Sequence, residues 1–376
     1  MEMRYRPEFG KFTVAWRKRL RLARSFGPGC GEAKKQKCAT HGSPEEKMTD
    51  LTRRNFLVAS AAGSFALPPT IRSAFAAADI PLRWASLQPG FTVLPVQYIL
   101  ANDLGRKNGL IFPDPAPYTA VSTYYNDFVA GNYDVCIGSW DTFAARYQAG
   151  VPLKYICTIT DANMIALLAP KAGVDDVSKL KGKTIAALQS TGTYRMVRAL
   201  INEAFGFDME KEATIQNVDN PAASVTLLMA DRADAALSWE PNITTGLIKK
   251  PDLRVILKAG DVYKRLSGGL ELPYFGVAIR KELADANPGI AAKVGKVFQD
   301  CINGINTDTA KAADLFGSKT GVPAETLKQA MDSKRLTFNY RPMSDELSRS
   351  SILLASQFLA RNGLLTKPVD DKFFAA

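Results

Sequence analysis

The chain has 376 residues, of which 46% are hydrophobic and 23% charged, and these values exclude a disordered, collagen-like or multi-span membrane protein. Its formal net charge of +11 is unevenly placed: residues 1–47 hold 12 basic and 5 acidic side chains, whereas residues 79–376 hold 33 and 31. The body of the chain is therefore nearly neutral, which argues against a nucleic-acid partner.

The histidine and cysteine content excludes several kinds of chemistry. His41 is the only histidine, so residues 79–376 lack the imidazole needed for Ser-His-Asp or Cys-His catalysis and for His-ligated metals. Cys136 and Cys157 lie in apolar runs, as expected of buried small hydrophobic residues, and Cys301 is the third cysteine of the body. A Cys136–Cys157 disulfide is the alternative. We predict neither a metal nor a cofactor.

A targeting signal is predicted near the N-terminus. Thr52–Leu57 reads TRRNFL, an apolar stretch follows up to Leu67, and Ala74–Ala76 is a small-x-small cleavage site. The segment resembles a twin-arginine export signal. The apolar run of 12 residues from Phe56 to Leu67 is too short for a membrane span, which needs about 20 residues.

We therefore predict a signal peptide over residues 48–78, cleaved near Ala76, with the mature protein in the periplasm. Residues 1–47 form a basic extension that fits no export pattern, and Met48 would give the signal a typical start. The alternative is an arginine pair before a buried helix, which Pro68 would end at once.

Strands and helices alternate in the first part of the body. The predicted strands are Leu82–Leu87, Ala116–Val121, Tyr133–Ile137 and Leu153–Thr160, and the predicted helices are Val93–Leu104, Thr123–Ala130 and Asp141–Gln148. Such alternation predicts a parallel sheet covered by helices.

A second α/β set follows Pro170. The pattern predicts the strands Thr184–Leu188 and Ala235–Trp239, a helix that ends at Gly206, and a helix that begins at Asn220-Pro221. A returning strand, Leu272–Ile279, follows. The remaining residues 288–362 are predicted to be helical, with breaks near Thr307, 317–323 and 337–343.

This order predicts an α/β protein with two lobes. Lobe one comprises residues 79–165 plus 272–376, and lobe two comprises residues 166–271. Two connecting strands, around Met164–Ala169 and Leu270–Val277, would form the hinge.

An ordered set of motifs carries a family resemblance. The motifs are FVAGNYDVCIGS at Phe128–Ser139, AGVPLK at Ala149–Lys154, LKGKTIA at Leu180–Ala186, ADRADAA at Ala230–Ala236 and WEP at Trp239–Pro241. Together they resemble the nitrate/sulfonate/taurine-type, thiamine-precursor-binding-like, substrate-binding proteins of ABC importers.

The resemblance implies a type II periplasmic binding protein fold that closes on a small-molecule ligand and delivers it to a membrane permease with its ATPase. It also implies a monomeric binding protein and not an enzyme. The ligand stays open among alkanesulfonates, taurine, nitrate or bicarbonate, aromatic acids and thiamine-pyrimidine precursors, so we predict a small anionic or zwitterionic solute.

In open α/β sheets, ligands lie beyond the carboxyl ends of the strands. The candidate ligand-binding residues in those positions are Gln88, Phe91, Ser139, Trp140 and Thr160 in lobe one, and Ser190, Thr191, Gly192, Thr193, Tyr194, Trp239 and Glu240 in lobe two.

Each group of candidates also has a simpler interpretation. Ser190–Thr193 precedes a helix and predicts an anion site, although a plain N-cap explains the same residue types. The aromatic side chains Trp140, Tyr194 and Trp239 could stack on a ligand or pack in the core. Glu240 could recognise an amine or cap the next segment.

Three other functions are compatible with parts of this pattern. Thiamine-pyrimidine synthases resemble this family, but their chemistry draws on histidine, which the body lacks. The effector domain of a transcription regulator would need an N-terminal helix-turn-helix where this chain has an export signal. A periplasmic ligand-sensing protein that signals to a receptor stays open as the alternative.

Overall fold

The protein is described from a computed structural model that covers residues 79–88 and 90–375. The basic extension, the predicted signal peptide and its cleavage site near Ala76 lie outside the described residues. No helix in the part that is described is long and apolar enough to cross a membrane.

The N-terminal part of the described chain consists of short strands and three helices. In chain order they are Ile80–Pro81 (β1), Ala85–Leu87 (β2), Val93–Ala101 (α1), Leu110–Ile111 (β3), Ala116–Tyr118 (β4), Val121–Ala130 (α2), Val135–Ser139 (β5), Trp140–Gln148 (α3) and Leu153–Thr160 (β6).

The middle part forms a second α/β set. Its elements are Ile165–Pro170 (β7), Thr184–Ala187 (β8), Gly192–Phe205 (α4), Met209–Glu212 (α5), Thr214–Asn217 (β9), Pro221–Met229 (α6), Ala235–Trp239 (β10), Asn242–Lys249 (α7), Leu253–Lys258 (β11) and Ala259–Leu266 (α8).

The C-terminal part returns to the first set. It contains Phe275–Arg280 (β12), Lys281–Ala286 (α9), Ile290–Thr307 (α10), Thr309–Phe316 (α11), Ala324–Asp332 (α12), Phe338–Pro342 (β13) and Glu346–Arg361 (α13).

Two principal sheets organise these elements. The first has the strand order β13-β6-β12-β5, and each strand pairs antiparallel with its neighbours. A parallel bridge between Trp84 and Val135 brings the β2-β4 pair alongside β5. The second sheet has the order β11-β7-β10-β8-β9, in which β10, β8 and β9 run parallel.

The prediction of a parallel first sheet is corrected by this topology. When the chain returns from the second sheet, β12 enters between β5 and β6 and runs opposite to both. The pattern of β5 and β6 alone could not show that a strand more than 100 residues later separates them. The break predicted at 337–343 is likewise a strand, β13, which pairs with β6 at the sheet edge.

The two segments that connect the sheets lie side by side. The Tyr274 N–H donates to the Thr160 carbonyl at 2.9 Å, and the Ala162 N–H donates to the Leu272 carbonyl at 2.9 Å. Asp161 and Pro273 form an isolated antiparallel bridge between these contacts. The connection between the sheets is thus a pair of hydrogen-bonded segments of the same chain.

Local signals explain several helix ends. The Asn220 side chain accepts a hydrogen bond from the Ala223 N–H, with Pro221 at the first helical position of α6, as predicted. Gly206 ends α4 with a φ of 66°, a left-handed conformation that favours glycine.

The cysteines are part of the packed interior. Cys136, Cys157 and Cys301 are free and buried, and burial raises the pKa of the Cys136 thiol to about 12. These thiols therefore stay protonated near neutral pH and behave as small hydrophobic groups.

Candidate functional site

The end of β5 and the start of α3 form one wall of the candidate site. The Ser139 N–H donates to the Tyr125 hydroxyl at 2.9 Å, and the Ser139 hydroxyl donates to Thr142 Oγ1 at 2.8 Å. Trp140 is fully buried, and its Nε1 donates to the Pro273 carbonyl at 2.8 Å. Its position matches the core-packing alternative and fixes the start of α3 against the segment that returns to the first sheet.

The start of α4 forms the opposite wall. Thr191 is the N-cap: its hydroxyl accepts from the Tyr194 N–H at 3.2 Å and donates to the Leu188 carbonyl at 2.8 Å. Ser190 is exposed, whereas Thr191, Gly192 and Thr193 are buried. The first N–H groups of a helix have no partner within it, so this wall presents backbone donors and the positive end of the helix dipole.

A carboxylate joins the two walls. Asp141, in the first turn of α3, is 3% exposed and lies directly against Gly192. A Cβ atom at Gly192 would fall 2.6 Å from Asp141 Oδ1 and nearer still to Oδ2, so glycine permits this approach. Asp141 Oδ1 is buried without a hydrogen-bond partner among the residues that the structure describes.

The environment of Asp141 opposes its ionisation. Burial raises the pKa of this carboxyl group, while the positive charge of Arg195 and the nearby polar groups of Ser139 and the Thr142 backbone oppose that increase. Removal of an ionised carboxylate from water is costly unless it is paired or well hydrogen-bonded. Asp141 is consequently a buried acid whose proton affinity depends on what shares the site.

A hydroxyl pair makes a second connection between the sheets. Thr193 Oγ1 and the Tyr274 hydroxyl share a hydrogen bond in which either atom can be the donor. Tyr274 is fully buried, and burial together with the charge of Asp141 holds its pKa well above the ordinary value. The phenol therefore keeps its proton and can act as a hydrogen-bond donor.

Glu240 lies in a buried ion pair with Arg335. Its carboxylate is fully buried and pairs with Arg335, whose Nε lies 2.6 Å from Oε1. Thr244 completes the contacts, with its hydroxyl 3.0 Å from Oε1 and its N–H 3.1 Å from Oε2. Both oxygens are thus engaged within the protein, and the contact with the Thr244 N–H is of the kind that the capping alternative describes. Ligand binding by Glu240 stays a prediction.

The other predicted residues are spread along the same region. Phe91 is 2% exposed and packs edge-to-face on Phe275 at a ring-centroid distance of 5.1 Å. The buried Thr160 hydroxyl accepts from the Phe275 N–H at 3.3 Å. Gln88 is half-buried and donates its backbone N–H to the Tyr118 carbonyl at 2.7 Å.

Tyr194 and Trp239 both lie in the second α/β set and are buried, at 2% and 8% exposure. Trp239 ends β10, where it pairs with Ile165 of β7. Neither aromatic side chain has a described contact with Asp141.

The structure therefore brings together Ser139, Trp140, Gly192 and Thr193 out of the predicted set. Sequence reasoning missed Asp141 and Tyr274, which make the contacts between the walls. Asp141 directly follows the predicted Ser139-Trp140 pair, so its position after β5 was a usable signal, whereas Tyr274 lay inside a predicted strand. Within residues 79–88 and 90–375, no group of His, Cys, Asp and Glu side chains is placed to hold a metal ion.

Comparison with known proteins identifies the fold. A family model described as NMT1/THI5 like matches residues 106–259. No curated protein sequence matches the chain.

Several solved structures share the architecture. The alkanesulfonate-binding protein SsuA from Xanthomonas axonopodis pv. citri, bound to MOPS, superposes with a TM-score of 0.63 at 16% identity, over 77% of this chain and 95% of that one. The periplasmic aliphatic sulphonate binding protein SsuA from Escherichia coli gives a TM-score of 0.64 at 17% identity, over 79% and 92% of the two chains.

A Candida albicans gene product described as having the generic periplasmic binding protein fold gives a TM-score of 0.58 at 16% identity, over 78% of this chain and 93% of that one. The chain therefore has the α/β fold of periplasmic binding proteins, and the resemblance predicted from its sequence is confirmed by the NMT1/THI5-like match over residues 106–259.

Proposed function

We propose that the protein is the extracytoplasmic solute-binding subunit of an ABC importer, which captures a small anionic or zwitterionic organic ligand and delivers it to a permease with its ATPase. It acts as a binding protein in the periplasm and not as an enzyme. The observation that carries this proposal is the polar contact zone between the two sheets, where Asp141, Thr193 and Tyr274 are buried together.

Polar groups are rarely buried at an interface between sheets without a partner for each of them. Apolar side chains would hold the sheets together at lower desolvation cost. The zone is instead suited to a solute that makes several directed hydrogen bonds. It offers a hydroxyl pair, a carboxylate with an unpartnered oxygen, and the start of a 14-residue helix.

Two lobes account for access to this zone. We place lobe one at residues 79–165 plus 272–376 and lobe two at residues 166–271. The predicted hinge strand around Met164–Ala169 is largely β7 of the second sheet, so we place the hinge at the paired segments Thr160–Ala162 and Leu272–Tyr274 instead. The solute would bind to lobe one, after which lobe two rotates and brings the start of α4 onto it. The closed form is then the state that the permease recognises.

A thermal-shift screen tests this function. The purified protein is heated with alkanesulfonates, taurine, nitrate, bicarbonate, and aromatic carboxylates and sulfonates at millimolar concentration. A solute that binds only the folded protein stabilises it by about 2.7 kcal/mol at a hundredfold excess over Kd, which is a readily measured rise in Tm. A folded protein that no compound of the panel stabilises would count against the proposed ligand class.

A control variant locates the site. Thr193→Val removes the hydroxyl that bonds Tyr274 and should reduce the ligand-induced rise in Tm. Thr307→Val removes an exposed hydroxyl that donates to the Asn303 carbonyl at 2.8 Å within α10, and it should leave the rise unchanged. An equal response of both variants would place the ligand elsewhere.

A further inference from the structure

Asp141 supplies an observation that the proposed function does not use. A simple anion at the start of α4 would lie beside a carboxylate, because Asp141 is against Gly192, the first residue of that helix. Like charges at this separation oppose each other, and both would be removed from water when the sheets close. A site for anions alone would not place an acid there.

One oxygen of the Asp141 carboxylate has no hydrogen-bond partner among the described residues. Asp141 is 3% exposed, yet its Oδ1 accepts no hydrogen bond from any residue in the part of the chain that the structure describes. A buried carboxylate ordinarily accepts several. A donor that occupies the zone, and above all a cationic nitrogen, would satisfy this oxygen and offset its burial.

We propose that Asp141 is the specificity-determining residue of the site, an inference that rests on the proposed function. Asp141 binds the positively charged nitrogen of a zwitterionic ligand, and the anionic group of the same ligand lies at the start of α4. The ligand class is an aminosulfonate or amino acid with the two charges on separate ends, rather than an alkanesulfonate or an inorganic anion. Thr193 and Tyr274 supply further hydrogen-bond partners for the same ligand.

The position of Asp141 agrees with this assignment. Its carboxylate lies against Gly192, at the positive end of the α4 dipole. A zwitterion supplies one charge to each partner: its anionic group binds at the helix start in place of Asp141, and its nitrogen binds to the Asp141 carboxylate. An anion alone would displace Asp141 from the helix and leave it buried without a counter-charge.

Isothermal titration of matched probes tests the inference. The probes are taurine against ethanesulfonate and β-alanine against propionate, since the members of each pair differ by the amine. The wild-type protein should bind the amine-bearing member about 10- to 100-fold more tightly, the range expected for a hydrogen bond to a charged group.

Asp141→Asn is the informative variant. Asparagine keeps the shape and can still donate to an anion, but it cannot hold a counter-charge. The variant should lose about 10- to 100-fold in affinity for the amine-bearing probe and keep or gain affinity for the amine-free one. Far-UV circular dichroism and the melting temperature establish that the variant is folded, and the wild-type comparison of the pairs does not depend on any substitution.

The outcomes separate this inference from the proposed function. Wild-type protein that binds a probe but prefers the amine-free member, or a folded Asp141→Asn variant that retains full affinity for the amine-bearing probe, would overturn the role of Asp141 and leave the solute-binding function standing. Wild-type protein that binds none of the four probes, yet responds to another anion in the screen, overturns the zwitterion assignment. No response to any compound overturns both.

Discussion

A single buried carboxylate dominates the electrostatics of the contact zone. Asp141 is removed from water, one of its oxygens has no partner in the described chain, and the charge of Arg195 only partly compensates. Replacement of a poorly satisfied buried charge by a neutral group of the same shape removes a destabilising term.

Asp141→Asn should therefore stabilise the ligand-free protein at pH 7 by about 1–3 kcal/mol, measured by urea unfolding. The matched control is Asp219→Asn, an exposed aspartate for which the change should stay within about 0.5 kcal/mol. Loss of stability in Asp141→Asn would show that the ionised carboxylate is better satisfied than its contacts indicate.

The same carboxyl group predicts a dependence on pH. Because burial raises its pKa in the folded protein above the ordinary value, the folded state binds the proton more tightly than the unfolded state does. This proton linkage destabilises the folded protein at pH values above the raised pKa and is relieved as the pH falls through it. The stability advantage of Asp141→Asn over wild type should thus shrink as the pH falls through the raised pKa towards the ordinary value of 3.8, and an advantage that stays constant down to that pH would contradict the linkage.

The buried carboxylate of Glu240 differs from that of Asp141 because both of its oxygens have partners. Glu240 is fully buried and its partner Arg335 has 14% of its side chain exposed, so removal of the arginine leaves an uncompensated charge. Arg335→Met should destabilise the protein by about 3–5 kcal/mol. Lys179→Ala, which breaks an exposed pair with Asp175, should cost at most about 1 kcal/mol.

A double variant separates the effect of the unpaired charge from the effect of lost packing. Glu240→Gln combined with Arg335→Met removes both charges and should recover part of the loss, because no unpaired ion then remains. If the double variant were as unstable as Arg335→Met alone, packing of the arginine stem and not its charge would be the source of the loss.

Two elements, α3 and α4, meet at a point that admits no side chain. Gly192 is helical and needs no left-handed backbone, and the atoms nearest to a Cβ at this position all belong to the Asp141 carboxylate. Gly192→Ala should lower stability by about 1–3 kcal/mol through overpacking. Asp141→Ala in the same chain removes the obstruction and should restore most of the loss, with a coupling energy of about 0.5–3 kcal/mol.

Gly173→Ala is the control for this cycle. A Cβ atom at Gly173 would meet its nearest neighbours at 3.5 Å or more, an ordinary contact distance. Additive effects of the Asp141 and Gly192 substitutions would mean that the two helices do not depend on this contact.

Local patterns predicted most elements, since each depends on nearby residues. The β6 strand Leu153–Thr160 and the β10 strand Ala235–Trp239 have the predicted bounds. The β13 strand Phe338–Pro342 was missed because it is short, contains polar residues and a proline, and is defined by its pairing with β6. Strand direction in the first sheet was also missed, since it depends on a pairing partner distant in sequence.

The candidate site was predictable only in part for the same reason. Polar residues after β5 and before α4 follow from the rule that strand ends carry the site, and the Thr191 cap follows from residue type. The approach of Asp141 to Gly192 joins positions 51 residues apart, and the pairing of Glu240 with Arg335 joins positions 95 residues apart. Such contacts depend on how the sheets come together, which no local pattern contains.

At the scale of the whole molecule, burial of the contact zone requires motion. Asp141, Thr193 and Tyr274 are each at most 4% exposed, so a solute that contacts them needs either the two sheets or the side chains around the zone to move apart. The paired segments at Thr160–Ala162 and Leu272–Tyr274 are the covalent connection across which such a movement would occur. A ligand that binds only the closed form shifts the population towards that form.

Small-angle X-ray scattering measures this shift directly. The ligand-free protein in solution should have a larger radius of gyration than the closed arrangement of residues 79–375, and a saturating solute from the screen should reduce it, because bound solute holds α3 against α4. A radius that is small and unchanged by solute would mean that the sheets do not separate to this extent, and that the solute enters through local movement of side chains instead.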